Sequence, residues 1–426
     1  MLLISILFFA LMFLGAPVAF AIGISGFVFF LTDAGMPMSI GVQKIATMSQ
    51  SFPLLAVPFF VFAGHLMNES GITERLFRFS HIAVGWMAGG LAQVAIVLST
   101  LMGGVSGSAV ADAAMEARIL GPNMIAKGYG KGFSAAAIAV GSLITATIPP
   151  SIGLILYGYV GNVSIGRLFI AGIIPGLLMM VALMGTTYLI ARKRGYVVAD
   201  TERPTLAALA SAAWGAKWAL LFPVALVLTI RGGIFTPSEV GAFAVVYAVL
   251  VGFVLHREMN FEKLKRAFAH AISDIGLIMI IILMSGMVGF AIIYLQVPQG
   301  ISSWMISGIS DPSVVVLAIL LFLLIAGCFI ESTVLVLLLT PIFLPVVQQA
   351  GVDPVHFGIL MMSIVTLGGM TPPVGVAMYA VCSLMNVKIE EYTVESIPFV
   401  ATILALILAL LFLPGVVLWL PNLAFG

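Results

Sequence analysis

Ser99-Thr100-Leu101-Met102-Gly103-Gly104-Val105-Ser106-Gly107-Ser108-Ala109-Val110-Ala111-Asp112 decides how this chain is read. The stretch lies within an apolar run, 91–120, that is long enough to cross a bilayer. It nevertheless carries three glycines, four hydroxyls and a carboxylate. Glycine releases the backbone from regular helix, and hydroxyls compete for its hydrogen bonds. Inside lipid, freed carbonyls are tolerated only where protein buries them or where they line a cavity. Small residues also serve close helix packing, which is the competing reading. Asp112 and a second copy of the pattern further along favour a helix broken at the membrane midplane to hold an ion or a substrate.

Composition agrees with a membrane setting. The 426 residues are 62% hydrophobic and 8% charged, with a mean hydropathy of +1.22, whereas a soluble domain carries about 25% charge. Apolar runs near crossing length recur from end to end, so the expected fold class is an all-α polytopic membrane protein. A net charge of +1 gives no reason to expect a nucleic-acid partner. Cys328 and Cys382 stand alone in apolar segments and form no metal-binding pattern. No Gly-Lys-Ser/Thr nucleotide loop, no His/Glu/Asp metal cluster and no serine–histidine pairing at plausible membrane depth is present, which argues against a primary pump and a membrane-embedded enzyme. Met1 leads directly into an apolar segment without a basic region or a small-residue cleavage site, so a first crossing is expected rather than a removed signal peptide.

Two halves are expected. In the first, 1–195, Gly15-Ala16-Pro17 divides two short scaffold segments within 1–50. A proline-rich apolar stretch with a charged amphipathic tail forms a re-entrant hairpin at about 51–80, and broken-helix segments follow over 88–160. A polar linker, 196–213, leads to the second half, 214–426. There the expectation is scaffold helices over 214–256 and a basic interfacial arm at 257–270. A second hairpin over 271–308 turns near Ser285 to Gly289, and broken segments occupy 313–385.

The halves echo one another. Thr147-Ile148-Pro149-Pro150-Ser151-Ile152-Gly153 corresponds to Thr371-Pro372-Pro373-Val374-Gly375. One offset of 223 takes Pro149 to Pro372, Pro150 to Pro373, Gly104 to Gly327, Pro122 to Pro345, Pro175 to Pro398 and Ser108 to Glu331. An odd number of crossings per half would invert the second repeat in the membrane. Paired interrupted segments of this kind point to the binding site of a secondary transporter. Lys127, Lys131, Arg192–Arg194, Arg257 and Lys263–Arg266 can share one face, which would be cytoplasmic.

Broken helices offer carbonyls and hydroxyls to a hard cation, and half-helix amino ends offer positive dipoles to an anion. A first Na⁺ site is expected from Ser106, Ser108 and the carbonyls at Thr147 and Ile148, with Asp112 binding or tuning it and Gly64 closing it. The second site comes from Glu331, Thr333 and the carbonyls at Gly369, Met370 and Thr371, closed near Gly289. Substrate is expected against Ser108, Pro149, Pro150, Ser332, Pro372 and Pro373. A mid-membrane carboxylate is costly and reads as functional. Proton coupling through Asp112 and Glu331 fits the same residues. His65 and His81 read as interfacial.

Ala-Gly-His-Leu-Met-Asn-Glu-Ser-Gly-Ile-Thr (63–73), Gly-Gly-Val-Ser-Gly-Ser-Ala-Val-Ala-Asp-Ala (103–113), Ile-Phe-Thr-Pro-Ser-Glu (234–239) and Gly-Gly-Met-Thr-Pro-Pro-Val-Gly (368–375) resemble the large membrane subunit of TRAP transporters, the DctM family. The resemblance covers essentially the whole chain. It implies an inverted-repeat, elevator-type member of the wider ion-transporter superfamily, with two re-entrant hairpins, driven by Na⁺ and without an organic cofactor. It also implies uptake of an organic acid across a bacterial or archaeal inner membrane, with a small four-helix membrane subunit (DctQ-like) and a periplasmic substrate-binding protein (DctP-like). The family often has Asp where Glu331 stands here. A standalone Na⁺- or H⁺-coupled carboxylate transporter is the alternative.

Overall fold

Gly15 to Pro17 separate α1 (Leu2–Phe13) from α2 (Val18–Thr32), as the sequence leads one to expect. The computed structural model describes residues 2–32, 35–196, 203–308 and 311–426, so 197–202 of the expected linker lie outside the described residues. After α3 (Met38–Ser49), a tight turn of helix at Phe52–Leu55 runs into α4 (Ala56–Glu69). The amphipathic α5 (Ile72–Val84) follows, then α6 (Gly90–Gly103), α7 (Ala109–Ile119) and the short α8 (Gly121–Ala126). Next come α9 (Lys131–Gly141), α10 (Leu143–Thr147), α11 (Ile152–Val160) and the long α12 (Ile165–Arg194). The second half holds α13 (Leu206–Gly215), α14 (Lys217–Arg231), α15 (Pro237–Leu250), α16 (Phe261–Tyr294), α17 (Val297–Gly308), α18 (Pro312–Gly327) and α19 (Ser332–Gln349). It closes with α20 (Pro354–Gly368), α21 (Val376–Met385), α22 (Ile389–Phe412) and α23 (Pro414–Phe425). Among the described residues, six helices are long and apolar enough to cross a membrane, or up to eight if each bent pair counts as one span.

The chain reverses at places other than those expected. Ser99 on α6 donates to Glu116 on α7 over 2.9 Å, although 17 residues separate them. In a continuous helix that separation is about 25 Å. The two helices are therefore antiparallel, and 104–108 is the tip of a hairpin rather than a mid-helix break. The rings of Phe322 on α18 and Phe343 on α19 meet edge to face with centroids 5.6 Å apart, which makes a second hairpin with its tip at Cys328–Glu331.

The hairpins expected at 51–80 and 271–308 are corrected accordingly. Pro53 and Pro58 fall in first turns, where the missing amide has no intrahelical partner, so 52–69 continues as a run of crossing length. Ser285, expected at a turn, donates to its own helix at Ile282 over 2.7 Å. Gly286 instead admits Met48 of α3: an added Cβ would lie 2.8 Å from its Cγ. Thus 261–294 is one helix with the expected arm at 257–270 largely inside it, and the chain turns only after Tyr294.

Contacts between elements come in exchanged pairs. α4 packs on α15 as α16 packs on α2, and α7 packs on α21 as α19 packs on α11. α6 lies on α10 as α18 lies on α20. With the offset of 223 these are the same contacts with the halves swapped, the mark of a two-fold relation. The hairpin bases lie at opposite ends. Gly89 and Gly130, beside the first base, donate to Tyr196 just past the C-terminus of α12. Pro354, beside the second base, accepts from Tyr157, shortly before the N-terminus of α12. The 30 residues of α12 span about 45 Å, so the hairpins enter from opposite sides and their tips meet inside.

Candidate functional site

Where the tips meet, the chain encloses a cavity of about 470 Å³. The first tip contributes Ser106, Gly107 and Ser108, and the second contributes Glu331, Ser332 and Thr333. Ala146, Ile152 and Gly153 line it from the interruption between α10 and α11, and Gly369, Met370 and Val376 from the interruption between α20 and α21. Val61, Gly64, His65 and Asn68 of α4 and Asp274, Leu277, Ile278 and Ile281 of α16 form a further wall.

Each tip rests on the interrupted segment of its own half that carries the proline pair. Gly107 has φ +63°, and an added Cβ would sit 2.2 Å from the Pro150 carbonyl, so backbone meets backbone there. In the second half Gly375 N–H donates to the Cys328 carbonyl over 2.9 Å. The Pro149–Pro150 and Pro372–Pro373 peptides are both cis. Gly64 lets α4 approach the first tip, since an added Cβ would lie 3.4 Å from Ser106 Cα.

Four helices begin at this cavity: α7, α11, α19 and α21 each supply residues of their first turn to its lining. Their orphan amides and dipoles favour negative charge. Ser108 and Glu331, related by the offset, perform one local task. Ser108 Oγ accepts from Ala111 N–H at 3.5 Å and caps α7. Glu331 accepts from the amides of Thr333 (2.8 Å) and Val334 (3.3 Å) and from the hydroxyls of Ser332 and Thr333, and so caps α19.

Of the residues expected in the sites, Gly64, Ser106, Ser108, Glu331, Ser332, Thr333, Gly369 and Met370 line this one cavity. The others are placed elsewhere. Asp112 is buried on the far face of α7, its Oδ2 2.6 Å from Thr145 Oγ1, and it belongs to the interior of the hairpin. The Thr147 carbonyl is crowded by Gly172 of α12, where an added Cβ would lie 2.1 Å from it. The Ile148 side chain fills the space beside Gly103 and Gly176. Thr371 donates to the Gly368 carbonyl and meets Cys328 Sγ at 3.1 Å. Pro149, Pro150, Pro372 and Pro373 lie in the two interruptions, Pro150 against the first tip, and are not among the lining residues. Gly289 sits within α16, not at a turn, and is also outside the lining.

Sequence reasoning missed three carboxylate or imidazole positions. His65, read as interfacial, lines the cavity and pairs with Asp274 at 2.8 Å. Asp274 carried no signal beyond being an isolated acid in an apolar run. Glu116 is fully buried beneath the first tip, four residues after Asp112 on the same helix face. The i, i+4 spacing of two acids in an apolar helix was the available clue.

Residues 5–416 match the family described as the tripartite ATP-independent periplasmic transporter, DctM component. The chain is 34% identical over 418 residues to the sialic acid TRAP transporter large permease protein SiaM of Vibrio cholerae, covering 98% of this chain and 97% of that one. It is 35% identical over 402 residues to the isethionate TRAP transporter permease protein DctMQ of Oleidesulfovibrio alaskensis, where the match takes in 94% of this chain but spans only 63% of that longer protein. Among solved structures, the YdaH transporter of Alcanivorax borkumensis aligns with a TM-score of 0.63 at 14% identity, over 90% of this chain and 89% of that one, which supports the all-α transporter fold. This multi-pass membrane protein therefore belongs to the DctM family of TRAP transporters, whose members are transport permeases and not enzymes.

Proposed function

We propose that the chain takes up an organic acid, such as a C4-dicarboxylate, a sialic acid or a related carboxylate, driven by a Na⁺ gradient. One observation carries the reading: two oppositely inserted hairpins bring their hydroxyl-bearing tips and four helix N-termini to a single cavity. The amino ends suit the anionic solute. The hydroxyls of Ser106, Ser108 and Thr333 are hard oxygen donors of the kind that suits Na⁺. The hairpins and the interrupted helices move as one body against α4, α15 and α16, an elevator. A small four-helix membrane subunit braces the scaffold, and a periplasmic binding protein delivers the solute at a bacterial or archaeal inner membrane. Relatives named for sialic acid and isethionate support an organic anion as cargo.

The test is reconstitution in liposomes with the two partner subunits, measuring uptake of labelled succinate and N-acetylneuraminate. Uptake is expected to require an inward Na⁺ gradient and the binding protein. Ser108→Ala should weaken the Na⁺ dependence without loss of expression. Uptake indifferent to Na⁺ overturns the coupling, and uptake without the binding protein favours a standalone transporter.

A further inference from the structure

The wall that α4 and α16 present to the cavity contains a pair of residues that this reading has not used. Among the described residues no Lys or Arg lines the cavity, and the ionisable ones that do are His65, Asp274 and Glu331. Glu331 is occupied by the first amides and hydroxyls of α19. His65 Nε2 lies 2.8 Å from Asp274 Oδ2, and because a carboxylate only accepts, the ring donates. The ring of His270, one turn earlier on α16, lies near-parallel to that of His65 with centroids 6.1 Å apart. Both members of the pair remain accessible from the cavity, with 27% of the His65 side chain and 52% of the Asp274 side chain exposed.

We infer that the His65 N–H is a carboxylate-binding subsite on the scaffold wall, for which Asp274 and the solute compete. This rests on the uptake of an organic acid proposed above. The helix N-termini and the tip hydroxyls act from the hairpin side, and a donor on the opposite, scaffold wall fixes the orientation of a carboxylate held between the two. Imidazole N–H supplies one, and hydrogen bonds to charged groups are about twice as strong as neutral ones. Asp274 offers that donor an intramolecular carboxylate of the same chemistry as the cargo. Bound solute therefore has to displace Asp274, which weakens affinity and speeds release. The more exposed Asp274 side chain has room to turn aside, whereas His65 is the more enclosed of the two.

The experiment is the Michaelis analysis of uptake by the complete three-subunit system, with succinate and N-acetylneuraminate as probes. His65→Ala should raise KM about tenfold, the loss of one hydrogen bond to a charged group, with a smaller change in kcat. His65→Gln, which keeps an N–H donor, should recover part of that loss. Asp274→Asn should lower KM, because an amide competes less well than a carboxylate, and this gain should disappear when His65 is alanine. Thermal unfolding of each purified variant accompanies the kinetics. A KM for His65→Ala within twofold of the parent overturns the proposal. So does a rise in KM for Asp274→Asn, which would make the pair a brace between α4 and α16. If the parent protein itself takes up neither probe, the functional reading falls and this inference with it. If the parent transports and only the variants fail to respond, the subsite alone is lost.

Discussion

Ser108 and Glu331 occupy corresponding places at the two tips and cap corresponding helices, with a hydroxyl in one half and a carboxylate in the other. The sequence marked both as functional, and each does line the cavity. It could not show that Glu331 has its oxygens engaged by its own helix, because capping depends on where the helix starts. Glu331→Ala should destabilise the purified protein by about 1 kcal/mol, the usual cost of losing an N-cap, seen as a lowered midpoint in thermal unfolding. Glu331→Ser should recover most of that, since serine already does this work at the first tip. If Ser is no better than Ala, the carboxylate acts through something other than the cap. Asp112 shows the same limit from the other side. Its burial in membrane was legible, but its direction was not, because the buried face of α7 is Ala109, Asp112, Ala113, Glu116 and Ala117, and alanines and acids make no large apolar stripe to mark the face that meets Thr145.

At the scale of elements, the positions of the interruptions were readable and their geometry was not. Glycine and serine release a helix equally for a kink or for a full reversal, and only long-range contacts distinguish the two. Prolines misled for the opposite reason. Pro53 and Pro58 fall in first turns, and Pro175, Pro341, Pro345 and Pro398 are accommodated inside α12, α19 and α22. The hairpin assignment makes a direct prediction. With Cys328 and Cys382 replaced, cysteines at Ser99 and Glu116 should join through a short, membrane-permeant bifunctional thiol reagent, slowly because both sites are buried, as should a pair at Phe322 and Phe343. Compaction on a denaturing gel, or a cross-linked peptide in mass spectrometry, reads the result. Failure of both pairs, with either single cysteine still reactive, would restore the straight broken helices expected from sequence.

Across the whole molecule, the swapped contacts and opposed hairpins turn the repeat into a two-ended object, and charge distinguishes the ends. Lys131 begins α9 beside Tyr196, whose hydroxyl accepts from Gly130, and Arg194 pairs with Glu395 there. Lys127 and Arg78 line one surface recess with His81 at this end, and the neighbouring turn carries the Arg75–Glu258 and Arg266–Glu69 pairs. The opposite end is sparsely basic: Arg167 bonds Asn422 near Ile230 and Arg231, and Lys44 lies over Phe290. Flanking Lys and Arg set orientation toward the cytoplasm, so we propose that the base of the first hairpin faces the cytoplasm and that of the second faces outward. Single cysteines at Lys127 and Arg257, in a background without Cys328 and Cys382, should react with an impermeant maleimide only in inverted vesicles. Cysteines at Arg231 and Asp353 should react in right-side-out spheroplasts. Labelling of all four from one side would remove the inverted relation between the halves. A complete exchange of sides would keep the repeat but reverse its direction in the membrane, and would place the first hairpin, with its Ser106 and Ser108 tip, on the outward path.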